Sequence, residues 1–110
     1  MLIDFDTIPE EVVEHFKGGE KAMHRRTFAD EQNRIMCSRL KPGASIGFHD
    51  HPDTSETMFI LSGYGTVVFD DQRFPIHAGQ CHYCPLGHSH SIINDGTEEM
   101  IFYAVVPKHK

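Results

Sequence analysis

Residues 43–56 read Gly43-Ala44-Ser45-Ile46-Gly47-Phe48-His49-Asp50-His51-Pro52-Asp53-Thr54-Ser55-Glu56, and the run continues through Met58 and Ile60 to Gly63. Ile46–His51 and Glu56–Leu61 alternate as strands do, and Pro52–Ser55 supplies the turn between them. On a strand, His49 and His51 leave the same face with Cα atoms roughly 6.5 Å apart. Two imidazoles at that spacing can converge on one metal ion. Glu56 starts the next antiparallel strand and can add a carboxylate from the same hairpin. This stretch predicts a β fold and a ligand set together.

Outward from the hairpin the period stays at two. Candidate strands are 22–28, 34–40, 66–70, 73–76, 80–84, 90–94 and 100–106, separated by turn signals such as Lys41-Pro42-Gly43, Ala78-Gly79, Pro85-Leu86-Gly87 and Asn94-Asp95-Gly96. Many short strands with regular punctuation predict an all-β sandwich or barrel in one domain, residues 1–110. The exception is residues 1–21, read as a helical arm. There Thr7 serves as N-cap, Pro9 sits early, Glu10 completes a capping box, Val12, Val13 and Phe16 form an apolar side, and Gly18-Gly19 stops the helix. Such a helix has about two turns and must dock to persist.

Composition narrows the partners. Of 110 residues, 10 are Lys or Arg and 16 are Asp or Glu, for a formal charge of −6. No basic run occurs, so nucleic acid and anionic membranes are poor partners. No apolar stretch is long enough for a membrane span and no export signal opens the chain, so a cytoplasmic protein is expected. Cys37, Cys81 and Cys84 are then reduced. Cys81 and Cys84 form C-x-x-C, but on a strand residues three apart face opposite ways, which reads as packing rather than thiol chemistry.

Nine histidines nearly equal all the Lys and Arg. His90 follows the rigid Pro85-Leu86-Gly87 turn, and barrel closure can bring it opposite the hairpin. Both segments together resemble the cupin superfamily. Its first motif is filled by Gly43, His49, His51, Glu56 and Gly63, and its second by Gly79, Pro85, Gly87, His90 and Asn94. Motif 1 covers 43–63 and motif 2 covers 79–94, with a 15-residue connection between them.

The resemblance implies a jelly-roll-like cupin barrel, with the N-terminal helix as an appendage. It also implies one divalent metal, Mn, Fe, Ni, Zn or Cu, held by His49, His51, Glu56 and His90. It further implies a homodimer, in which 22–28 is either an exchanged strand or an ordinary edge strand. His82 occupies a motif position that aims into the barrel, as a partner for a ligand or as an acid/base residue. By face parity Met58 and Ile60 accompany Glu56, and Ile92 accompanies His90, while Gly47 leaves space beside His49. Either Met100, Phe102 and Ala104 or Ile101, Tyr103 and Val105 complete the interior, so Phe102 and Tyr103 both stand as pocket residues. His15, His24, His77 and His109 need no special role, and His88 sits beside the ligand position without taking it.

The expected function is Lewis-acid chemistry on a small anionic chelating substrate, such as a sugar, sugar acid or keto acid. An isomerase, tautomerase or lyase fits that description. A metal-dependent dioxygenase or oxidase and a non-catalytic binding or sensor module are the alternatives.

Overall fold

A computed structural model describes residues 1–109. Ten strands carry the chain: β1 (Glu11–Glu14), β2 (Ala22–Ala29), β3 (Asn33–Leu40), β4 (Ser45–Asp50), β5 (Glu56–Ser62), β6 (Tyr64–Phe69), β7 (Gln72–His77), β8 (Cys81–Cys84), β9 (Ser89–Ile93) and β10 (Met100–Pro107). They form two antiparallel sheets, ordered β1-β2-β3-β10-β5-β8 and β4-β9-β6-β7. The two sheets close on each other as a jelly roll. Their inner faces meet in a core that includes Met23, Leu40, Met58, Val67, Ile92 and Phe102, all at or below 2% exposure. Burial of this kind contributes roughly 1.5–3 kcal/mol per large apolar side chain. No helix among the described residues is long and apolar enough to cross a membrane.

The N-terminal arm is the main correction. Residues 7–16 do not form a helix: single 3₁₀ turns occupy Phe5–Thr7 and Phe16–Gly18, and β1 lies between them. Asp4, not Thr7, caps the first turn, its carboxylate accepting from the Asp6 amide. Val12 and Val13 explain the difference. Both are β-branched, and pairing with His24 and Met23 of β2 satisfies a backbone that two isolated helical turns could not. Strand β1 therefore covers β2, so 22–28 is not a sheet edge.

Register also settles the face of β10. Met100, Phe102 and Ala104 point into the core, and Tyr103 points out, stacked on Phe5 at 5.5 Å between centroids. Tyr103 is thus removed from the expected pocket residues. Cys81 is exposed and Cys84 buried, on opposite faces of β8. Burial pushes the Cys84 thiol up to about 12, so it stays an uncharged packing group.

Arg39 on the outer face of β3 ties the arm down. It donates to both oxygens of Glu10 at 2.7 and 2.8 Å, and to Glu99 at 2.7 Å. Those hydrogen bonds hold the Glu10 carboxyl at about 2, below its ordinary 4.5. A depressed folded-state value contributes stability above pH 4.5 that is lost as the pH falls toward 2. Glu10→Gln is accordingly expected to cost about 1 kcal/mol at pH 7, the upper end for a water-exposed pair. Thermal melts at pH 7 and pH 2.5 check this, the two proteins converging at the lower pH.

Candidate metal centre

The four candidate ligands are brought together by one irregularity in β4. Ile46 pairs with Ile92 and His49 with His90, so three steps along β4 match two along β9. The extra residue is a β-bulge, and it lets both Ile46 and His49 face inward although an odd number of positions separates them. The bulge also orients the ring. His49 Nδ1 lies 2.7 Å from the Gly47 carbonyl oxygen. A carbonyl only accepts, so Nδ1 carries the proton and Nε2 keeps its lone pair for the interior.

The other two imidazoles are held in the same manner. His51 Nδ1 meets the Thr54 hydroxyl at 2.7 Å, and His90 Nδ1 meets His82 Nε2 at 2.9 Å. Motif 2 is pinned to motif 1 by the backbone: the His51 amide donates to the His88 carbonyl at 3.0 Å, and the Gly87 amide to the His51 carbonyl at 2.7 Å. Glu56 opens β5 and projects beside them. Its Oε1 is 2.9 Å from His90 Nε2 and 3.3 Å from His51 Nε2, and those two nitrogens are 2.9 Å apart.

One donor atom from each of His49, His51, Glu56 and His90 lies within 4.8 Å of every other, and three of the four residues are buried. So many lone pairs in so small a volume require a positive charge among them, either protons or a metal ion. The donor set, three neutral imidazoles and a carboxylate, suits a divalent transition ion. The group is able to hold one.

Electrostatics favour a charged carboxylate on Glu56 and a neutral ring on His49. Burial opposes charge on Glu56, but hydrogen bonds from His51 and His90 overcome it and hold the carboxyl at about 2. Burial likewise pushes the His49 imidazole down, and takes His82 down to about 4, so both are neutral. His82 is buried behind His90, with Phe69 and Phe74 against its ring at 5.8 and 6.2 Å. As an acceptor it fixes His90 with Nε2 turned to the centre.

Of the residues expected to line a pocket, Phe102 does so, while Met58, Ile60 and Ile92 are sealed in the core beneath. The cavity in front of the ligands measures about 440 Å³. Sequence reasoning missed most of its wall: Phe16 and Lys17 from the arm, Arg25 of β2, and Arg34, Met36 and Ser38 of β3. A period-two reading places these residues on the inner face, but only β1 and the 3₁₀ turn after it bring the arm over the opening. Thr54 was missed too, although a hydroxyl three residues after His51 is a signal for a ring-holding partner.

Comparison with known proteins agrees with this geometry. The family described as Cupin domain matches residues 36–106. The oxalate-binding protein of Thermotoga maritima is 31% identical over 112 residues, covering 96% of this chain and 93% of its own. A crystal structure from Thermotoga maritima, described as a "predicted oxalate decarboxylase", superimposes with a TM-score of 0.91 at 27% identity, covering 98% of this chain and 99% of that one. A sugar phosphate isomerase from Silicibacter pomeroyi shares the fold at a TM-score of 0.80 and 20% identity, over 98% of this chain and 76% of its own.

Proposed function

The chain belongs to the cupin family, and on that footing we propose that it is a metal-dependent enzyme acting on a small chelating anion, by isomerase, tautomerase or lyase chemistry. One observation carries the reading: three imidazoles, each held at Nδ1, turn Nε2 toward one carboxylate at the inner end of a cavity. His49, His51, Glu56 and His90 would hold the ion, which supplies Lewis acidity to a bound carbonyl or carboxylate. His82 keeps His90 oriented, a positioning role. Apolar walls of Phe102, Met36 and Ile46 exclude water from the reacting end.

Charges at the opening fit an anion once a divalent ion is present. Lys17, Arg25 and Arg34 line it, and so do Asp50 and Asp53. Arg25 is paired with Glu11 at 2.7 Å, whereas Arg34 makes no ion pair among the described residues. The oxalate-binding relative supports both an anionic ligand and a second reading, binding without turnover. We further propose a homodimer, supported by the outer face of β5 and β8, where Phe59, Leu61 and Tyr83 are 48%, 47% and 56% exposed. Light scattering on the purified protein is expected to give twice the chain mass.

Reconstitution with Mn, Fe, Ni, Zn or Cu in turn, followed by calorimetry with oxalate, tests the reading. One ion per chain is expected, with oxalate binding to the loaded protein only. Small 2-oxo acids in deuterated water are then expected to exchange protons next to the carbonyl, seen by NMR. Oxygen uptake without exchange would replace this reading by an oxygenase, and oxalate binding with neither would leave a binding module.

A further inference from the structure

Ser38 is the anomaly in the cavity wall. It is 2% exposed, it lines the cavity, and its hydroxyl has no hydrogen-bond partner. A buried hydroxyl left unpaired costs free energy, and a fold could remove that cost with alanine. Its cross-strand neighbours are Arg25 of β2, whose guanidinium is held by Glu11 at 2.7 Å, and Phe102 of β10, and Phe16, Met23 and Met36 share the cavity wall. In the sheet Ser38 pairs with Phe102 of β10, which in turn pairs with Ile60 of β5, the strand that bears Glu56. Two strand spacings, roughly 10 Å, and the four-residue offset from Ile60 to Glu56 along β5 therefore separate Ser38 from Glu56. Oxalate, whose carboxylates are joined directly, cannot chelate at one end and reach Ser38 with the other.

We propose that Ser38 is a specificity residue, and that the substrate is a chelating carboxylate carrying an aromatic or other apolar body with a hydroxyl or carbonyl oxygen at its far end. The charged end meets the ligand group, the body lies between Phe16, Phe102 and the two methionines, and the distal oxygen supplies the partner that Ser38 lacks. A volume of about 440 Å³ accommodates such a molecule and is more than a bare dicarboxylate fills. This inference rests on the metal reading above and adds to it the length and polarity of the substrate.

Calorimetry on the Mn-loaded protein with three probes separates the two. The probes are oxalate, phenylpyruvate and 4-hydroxyphenylpyruvate, which share a chelating end and differ in the body and its terminal hydroxyl. Wild type is expected to bind 4-hydroxyphenylpyruvate about tenfold more tightly than phenylpyruvate, the size of one hydrogen bond in a dry site. Ser38→Ala is expected to erase that ratio while oxalate binds both proteins alike. Ligand-free Ser38→Ala should melt at or above wild type, because the hydroxyl has no internal partner to lose. A ratio that survives in Ser38→Ala, or is absent in wild type that binds oxalate, overturns the inference and leaves the metal reading standing. A lower melting temperature for Ser38→Ala also overturns it, by showing the hydroxyl partnered within the fold. Failure of wild type to bind any of the five ions, or to bind oxalate when loaded, removes the metal reading and this inference together.

Discussion

His90→Ala is expected to abolish metal binding and also to weaken the metal-free protein by about 3–5 kcal/mol, the cost of breaking a buried charged pair from one side. His90 is 1% exposed and sits at the junction of the site: its Nε2 faces Glu56 and His51, and its Nδ1 faces His82. Removing the ring leaves a buried carboxylate and a buried imidazole each short of a partner. The bound ion adds a second loss, because a ligand present at a thousand times its dissociation constant stabilises by about 4 kcal/mol. Calorimetric melts with and without a chelator separate the two effects. Chelator should lower the wild-type midpoint and leave the already lower midpoint of His90→Ala unmoved.

His49→Ala makes the contrast. Its ring is half-buried and hydrogen-bonds only the Gly47 carbonyl of its own bulge, with no contact to Glu56 inside hydrogen-bond distance. Its loss should end metal binding yet cost the metal-free protein only about 1 kcal/mol. If both variants lost metal-free stability equally, His90 would not be the junction that the distances describe.

The strands and the gathering of His49, His51, Glu56 and His90 were legible because both depend on short-range spacing. Each predicted strand from 22–28 through 100–106 lies within two residues of an observed one. His49 and His51 could be read as one face because a strand has only two faces. The bulge in β4 was not legible: Ile46 and His49 both face inward, which a regular strand forbids. No residue there announces the extra position, and only the pairing with β9 shows it. The arm was misread because its capping signals are local, whereas β1 exists through its pairing with β2, across segments several residues apart in the chain. The choice between Phe102 and Tyr103 was open for the same kind of reason: β10 is apolar on both faces, and only its register against β3 and β5 turns Phe102 inward. Ser38 could not be singled out, because a serine on an apolar strand face looks ordinary until its hydroxyl is found without a partner.

Gly47 carries the other large expected effect, and its structural role reverses the expectation from sequence. The space beside His49 that its missing side chain creates is filled by the arm. A Cβ at Gly47 would lie 1.9 Å from the Lys17 carbonyl oxygen and 2.9 Å from the Gly18 carbonyl carbon, and one at Gly19 would lie 2.0 Å from the Ser45 carbonyl oxygen. Two backbones are pressed together at paired glycines, and the junction is sealed by the Ser45 amide donating to the Glu20 carbonyl and the Glu20 amide to the Ser45 hydroxyl. No rotamer change relieves a clash with backbone, so Gly47→Ala must lift the arm. The expected cost is about 3 kcal/mol, from overpacking together with the arm's looser seat on β4. For a domain of this size that lowers the melting midpoint by roughly 15 °C. Because Phe16 and Lys17 cover the cavity, amide exchange of residues 15–20 should accelerate, and the bulge carbonyl that orients His49 should shift, weakening metal binding as well. Gly79→Ala is the control for backbone conformation alone. Gly79 has φ +90° and nothing within 4 Å of the added methyl, so the substitution introduces strain without collision, about 1–2 kcal/mol. Gly47→Ala melting no lower than Gly79→Ala would mean that the arm yields freely, and that its glycines do not fix it over the site.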